Sequence, residues 1–121
     1  MVGSFASLGV YYGVKHIANH ALANAVIKET LRGRGNIVSI HKLNNAQANL
    51  VKKKFLGKSF NSHPKQVFTK NVGGNIRVFR MDTSSMLGLH KPHVAHFHLE
   101  IFGVNTKKAN MIVNNHIPFI G

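Results

Sequence analysis

Pro92-His93-Val94-Ala95-His96-Phe97-His98-Leu99-Glu100-Ile101-Phe102 gathers three histidines and a carboxylate into the eight residues from His93 to Glu100. From His96 onward the residue types alternate. His96, His98 and Glu100 fall on one phase, and Phe97, Leu99 and Ile101 on the other. Side chains of a β-strand point by turns to opposite faces, so this stretch predicts one strand with an apolar inner face and a polar outer face that carries its chemistry. His93 falls in the phase opposite to His98 and is the member least expected to join the others.

The surrounding chain has 121 residues, 44% of them hydrophobic, which suits one folded domain with a real core. Its charge is unusual. Sixteen Lys and Arg stand against three acids, Glu29, Asp82 and Glu100, for a net charge of +13. Such an excess repels itself and attracts a polyanion or an acidic partner. Nucleic acid leads, because dispersed Lys and Arg can each neutralise a phosphate; an anionic membrane surface or an acidic protein suits the same charge. With no cysteine, disulfide scaffolds, cysteine-ligated zinc and thiol nucleophiles are excluded. Residues 1–14 are uncharged but too short for a span of roughly 20 residues, and no basic region or cleavage site marks a signal peptide. Met1-Val2-Gly3-Ser4 reads in part as an expression remnant, which would make the chain a piece of something longer.

Upstream of the strand the spacing is helical. Val10, Val14, Ile17, Ala18, Ala21, Leu22, Ala25 and Val26 predict one apolar helix face within residues 5–31, with Gly9 and Gly13 weakening its start. His16 and His20 share a face there, without the intervening glutamate of a zincin. Arg32-Gly33-Arg34-Gly35-Asn36 stops the helix. Ile37 to Ile40 predicts a short strand, and Asn44 or Asn45 caps a second helix that runs through Leu56 and ends at Gly57. Val67-Phe68-Thr69 and Ile76 to Arg80 predict a hairpin about Asn71-Val72-Gly73-Gly74-Asn75. Met81 to His90 reads as a loop, Gly103 to Lys108 as a turn, and Met111 to Val113 with Ile117 as a last strand. The expectation is an α+β fold: a helical segment over 1–35, and a core over 36–121 in which the helices pack on a C-terminal antiparallel sheet.

Three chemistries fit His96, His98 and Glu100. They could ligate a divalent ion, with His93, His116 or Asp82 as a further donor. They could be polar residues on an open sheet face. Or they could carry protons in phosphodiester cleavage, which needs a base, an acid and cations around the phosphorane. The scarcity of acids argues against two-metal chemistry, which assembles several carboxylates. RNA supplies its own nucleophile, the 2′-hydroxyl, and removes the need for a metal-activated water. The expected catalytic residues are therefore His98, Glu100, His96 and His116, with no metal or other cofactor. Arg80, Lys70, Arg77 and Thr69 on the neighbouring hairpin are the expected substrate contacts. A non-catalytic RNA-binding protein is the main alternative outside enzymes, although stacking aromatics are few.

In its short basic length, its helices followed by strands bearing His96-Phe97-His98-Leu99-Glu100, and its His116-Ile117-Pro118-Phe119 segment, the chain resembles the C-terminal nuclease toxin domains of bacterial contact-dependent inhibition and polymorphic toxin systems. Many of these share the fold of the barnase, EndoU, colicin and RelE ribonucleases. The resemblance spans about residues 36–121. It implies metal-independent cleavage of tRNA or another structured RNA. It also implies a place at the tail of a larger secreted or cell-surface effector, action in the cytoplasm of a target bacterium, and neutralisation by an acidic immunity protein.

Overall fold

The computed structural model describes residues 2–105 and 108–120. Helix α1 spans Val2–Arg32, and strand β1, Gly35–Val38, follows it. Strand β2 is Leu43–Asn44, helix α2 Asn45–Leu56, β3 Asn61–His63, β4 Val67–Val72 and β5 Asn75–Arg80. A one-turn helix α3, Thr83–Met86, precedes the long strands β6, His96–Asn105, and β7, Lys108–Ile120. The class is α+β, as expected. The sheet, however, is mixed rather than wholly antiparallel. Its order is β1-β7-β6-β5-β4-β3, and β1 and β2 both lie parallel to β7. A connection through α2 and the hairpins separates β1 from β7, so nothing local dictates their relative direction.

Helix α2 begins where its cap residues place it. Asn44 accepts from the Gln47 backbone N–H, and Gln47 returns a bond to the Asn44 N–H, a reciprocal capping box. It ends at Gly57, whose φ of 73° a side chain would resist. The inner face of β6 is the expected one. Phe97, Leu99 and Ile101 join Phe79, Val113 and Ile117 beneath Ala23 and Val26 of α1 and Val51, Phe55 and Leu56 of α2. The face of α1 differs from the expectation. Burial is centred on Ala23, Val26 and Thr30, whereas Ile17, Ala18 and Ala21 are exposed; Val10 and Val14 lie outside the described side chains. The later part of this long helix, with Ala23 and Val26, packs into the core with α2 and β7. The turn shrinks too, since β6 continues through Asn105 and β7 starts at Lys108; Thr106 and Lys107 lie outside the described residues. Among the described residues, no helix is long and apolar enough to cross a membrane.

Phe97 is wholly buried, with its ring centroid 5.3 Å from that of Phe79 and 6.4 Å from that of Phe119. Phe97→Ala should lower unfolding stability by about 3–5 kcal/mol in chemical denaturation, the range for an aromatic deleted from a core. A loss below about 1 kcal/mol would show that the helices do not close tightly over this face.

Candidate active site

The other face of β6 is polar but not open. His96, His98 and Glu100 are 0%, 1% and 7% exposed, so they sit in a second, polar core. Residues 82–95 cover them. This segment turns at Gly88, whose φ is 67° and whose added Cβ would come within 2.9 Å of the Val94 carbonyl carbon. It places Ser85 and His90 against the strand.

Register sets the rows of the site. Arg80, His98, His116 and Val38 lie side by side across β5, β6, β7 and β1, and Val78, Glu100, Asn114 and Asn36 form the next row. The imidazoles of His98 and His116 have centroids 4.6 Å apart, and those of His96 and His98 4.9 Å apart. His90 comes in from the covering segment, 4.8 Å from His96 and 5.7 Å from His98. At the β1 end a cleft of about 450 Å³ opens, lined by Asn36, Ile37, Val38 and His116 on the sheet and by His90 and Lys91 opposite.

Two acids are used to hold one arginine. Arg80 donates from Nε to Glu100 Oε1 at 2.9 Å and from a terminal nitrogen to Asp82 Oδ1 at 2.8 Å. Asp82 also accepts from Ser84 at 2.6 Å and from the buried Ser85 hydroxyl at 2.7 Å. Burial alone would raise the Asp82 carboxyl. The two serine hydrogen bonds and the Arg80 charge outweigh it and hold the group well below the usual carboxylate range. Asp82 is therefore ionised, and Ser85 must aim its proton at it. Ser85 Oγ then receives N–H donors from His98 Nε2 at 2.9 Å and His90 Nε2 at 3.0 Å.

The remaining nitrogens follow from this. Burial, chiefly, pushes the His98 imidazole down to about 3; an Asn114 oxygen turned to Nδ1 would oppose this, and Arg80, His116 and His96 add to it. A neutral His98 that donates to Ser85 has a bare Nδ1, 2.8 Å from the Asn114 side-chain amide, and it is satisfied when that amide turns its NH2 inward. His96 donates from Nδ1 to the Val94 carbonyl at 2.7 Å, and its Nε2 lone pair is buried with no partner. Such an orphan acceptor costs roughly 1–3 kcal/mol. Burial lowers the His96 pKa, partly offset by the Val94 bond. His116 donates from Nδ1 to the Ile37 carbonyl at 2.8 Å, so that in the neutral ring the lone pair is on Nε2.

Of the expected residues, His96, His98, Glu100, His116 and Arg80 come together on one face. Within that group, His98 has both nitrogens engaged and Glu100 is committed to Arg80, so His116 is the member that lines the cleft. Thr69 shares the face but lies away from the cleft, bonded to His63 at 2.8 Å. Lys70 and Arg77 are corrections. They pair with each other on the opposite face. Arg77 stacks over Phe55 and caps the end of α2 through the Phe55 carbonyl at 2.9 Å, and Lys70 binds the Lys58 and Ser59 carbonyls. Three residues along β5 separate Arg77 from Arg80, and an odd separation puts two residues on opposite faces. His93 stays out, exposed in the covering segment. The sequence reading missed His90, Ser85, Asn114 and Asn36. The alternation of Asn114 with His116, matching that of His96 with His98, was a signal for one of them.

Comparison with protein-family models, curated proteins and solved structures yields no match to this chain.

Two outcomes follow from these contacts. The unfolded chain takes up the His98 proton below its ordinary pKa of 6.5, but the folded protein does so only near 3. Stability is thus full above pH 6.5 and falls as pH drops toward 3, by up to ~1.4 kcal/mol per pH unit from this proton. Urea midpoints measured in EDTA should show a flatter acid slope for His98→Gln than for the parent; equal slopes would refute the buried neutral imidazole. Arg77→Met should cost about 1–3 kcal/mol of stability in urea denaturation, through loss of the bond to the Phe55 carbonyl.

Proposed function

We propose that this protein is a ribonuclease that cleaves tRNA or another structured RNA by transferring the phosphodiester to the adjacent 2′-hydroxyl. The reaction takes place in the cleft between His116 and His90. The observation that carries the reading is His116: its Nδ1 proton is fixed on the Ile37 carbonyl, so a basic Nε2 is available at the wall of a cleft in a chain of net charge +13. A base needs its lone pair held in place before substrate arrives, and a backbone carbonyl does that without adding charge.

In the reaction His116 Nε2 takes the 2′-hydroxyl proton as the 2′-oxygen bonds to phosphorus. The bond from phosphorus to the 5′-oxygen breaks, leaving a 2′,3′-cyclic phosphate. The departing 5′-oxygen takes a proton from His90 in its imidazolium form, across the cleft. The 3.3 Å contact from His90 Nδ1 to the Lys91 carbonyl is long, so that proton is loosely held. The Lys91 ammonium offsets charge on the phosphorane. Asp82, Ser85 and His98 act as positioning residues, holding His90 through the Ser85 hydroxyl. Both acids on this face are engaged by Arg80, which supports a route without paired catalytic metals. A basic ribonuclease of this kind suits a toxin carried by a larger secreted or cell-surface effector. It would act in the cytoplasm of a competing bacterium and be held in check by an acidic immunity protein.

The test is incubation with total tRNA in EDTA, followed by analysis of fragment ends. Discrete fragments with cyclic phosphate ends are expected, and His116→Ala should slow cutting by about 10²–10⁴-fold while keeping the circular dichroism of the parent. Intact RNA with only salt-sensitive binding, or cutting that EDTA abolishes, would overturn the reading.

A further inference from the structure

We propose that His90, His96 and His98 form a binding site for a late first-row divalent cation, Zn²⁺ foremost, and that the ion closes the catalytic cleft rather than serving it. One ligand nitrogen from each of the three lies within 4.8 Å of the others. A tetrahedral zinc with bonds of about 2.0–2.1 Å sets its ligands about 3.3 Å apart, so small side-chain rotations suffice. His96 supplies the independent sign of a ligand. Its imidazole is 0% exposed, its Nδ1–H is fixed on the Val94 carbonyl, and its Nε2 lone pair has no partner. A carbonyl on the far nitrogen is the arrangement that orients metal-binding imidazoles.

His98 can adopt the same form without gaining or losing a proton, and so can His90 when its ring is neutral. His98 Nδ1 lies 2.8 Å from the Asn114 side-chain amide, which rotates its oxygen inward to accept an Nδ1 proton, and His90 Nδ1 faces the Lys91 carbonyl at 3.3 Å. Moving each proton from Nε2 to Nδ1 releases both Nε2 atoms from Ser85 and frees three lone pairs for one ion. Ser85 keeps its bond to Asp82. The donors are three neutral imidazoles. Glu100 and Asp82 are held by Arg80, so the set lacks the oxygen ligands that Mg²⁺ and Ca²⁺ require and suits zinc, copper or nickel.

Binding stands on this geometry alone; its effect on catalysis rests on the ribonuclease reading. An ion on His90 Nε2 fixes that ring as a neutral ligand and removes the acid from the cleft. Calorimetric titration of EDTA-stripped full chain with Zn²⁺ should show one equivalent bound in the micromolar range or tighter, unaffected by millimolar Mg²⁺. Co²⁺ should give the visible absorption of a four-coordinate site. His96→Ala and His90→Ala should each weaken Zn²⁺ binding by at least about 100-fold. His90 sits in the half-exposed covering segment, so its variant reads the site even if His96→Ala unfolds. The pair His16 and His20 on α1, with rings 4.4 Å apart, is the internal control, and its double alanine variant should bind as the parent does. Absence of Zn²⁺ binding, or loss in the His16/His20 variant with retention in His90→Ala, would overturn the site. If Zn²⁺ binds and cleavage is undiminished, the site stands and its inhibitory role is refuted. If no RNA is cut at all, the ribonuclease reading fails while the binding result still decides the site.

Discussion

Ser85 has one hydroxyl proton and three polar neighbours, and the direction of that proton orders the whole polar face. Asp82 is ionised and can only accept, so the proton points there at 2.7 Å. His90 and His98 are then obliged to donate, which fixes their protonated nitrogens and, through His98, the orientation of Asn114. The serine also joins the covering segment to the sheet. A buried hydroxyl that satisfied only one neighbour would leave the others unpaired in the interior and weaken the hold of the segment on the sheet.

The disposition of the three acids has a second effect. Glu29 accepts from the Asn115 side chain and from the Ile40 backbone, and Asp82 and Glu100 bracket Arg80. The acids are thus turned toward internal bonds. Among the described residues the ion pairs involve Arg80 alone, so the other described cations have no acidic partner. The field around the protein is close to that of its bare charge excess, which favours rapid capture of a polyanion at low salt and weakens steeply as salt rises.

Much of this was legible because it depends on short-range rules. The alternation at Phe97, Leu99 and Ile101 identified the inner face, Asn44 and Gly57 bounded α2, and Gly73-Gly74 made the hairpin turn, each from neighbouring residues alone. Long-range features were not legible. Direction and order of strands depend on packing between distant segments, so the parallel β1 edge was hidden. The cover over the polar face could not be foreseen either, because Asp82-Thr83-Ser84-Ser85 has the composition of any turn. His90 was lost for the same reason: it belongs to no periodic element, and only the fold of residues 82–95 brings it to His96. Lys70 and Arg77 show the limit of charge as a guide, since a cation beside a strand can as readily bind backbone carbonyls at a helix end as a phosphate.

Strand β7 follows the other described strands in sequence, yet it lies between β1 and β6 and supplies His116, Asn114 and Asn115 to the middle of the fold. During synthesis β1, made early, has no partner until residues past 113 have emerged. Every earlier stage of the chain exposes unpaired strand edges and lacks a cleft. Assembly is governed by contacts between remote parts of the sequence, which makes it slow for a domain of this size. A chain still short of β7 therefore lacks His116 and Asn114, and the histidine face is complete only when β7 inserts.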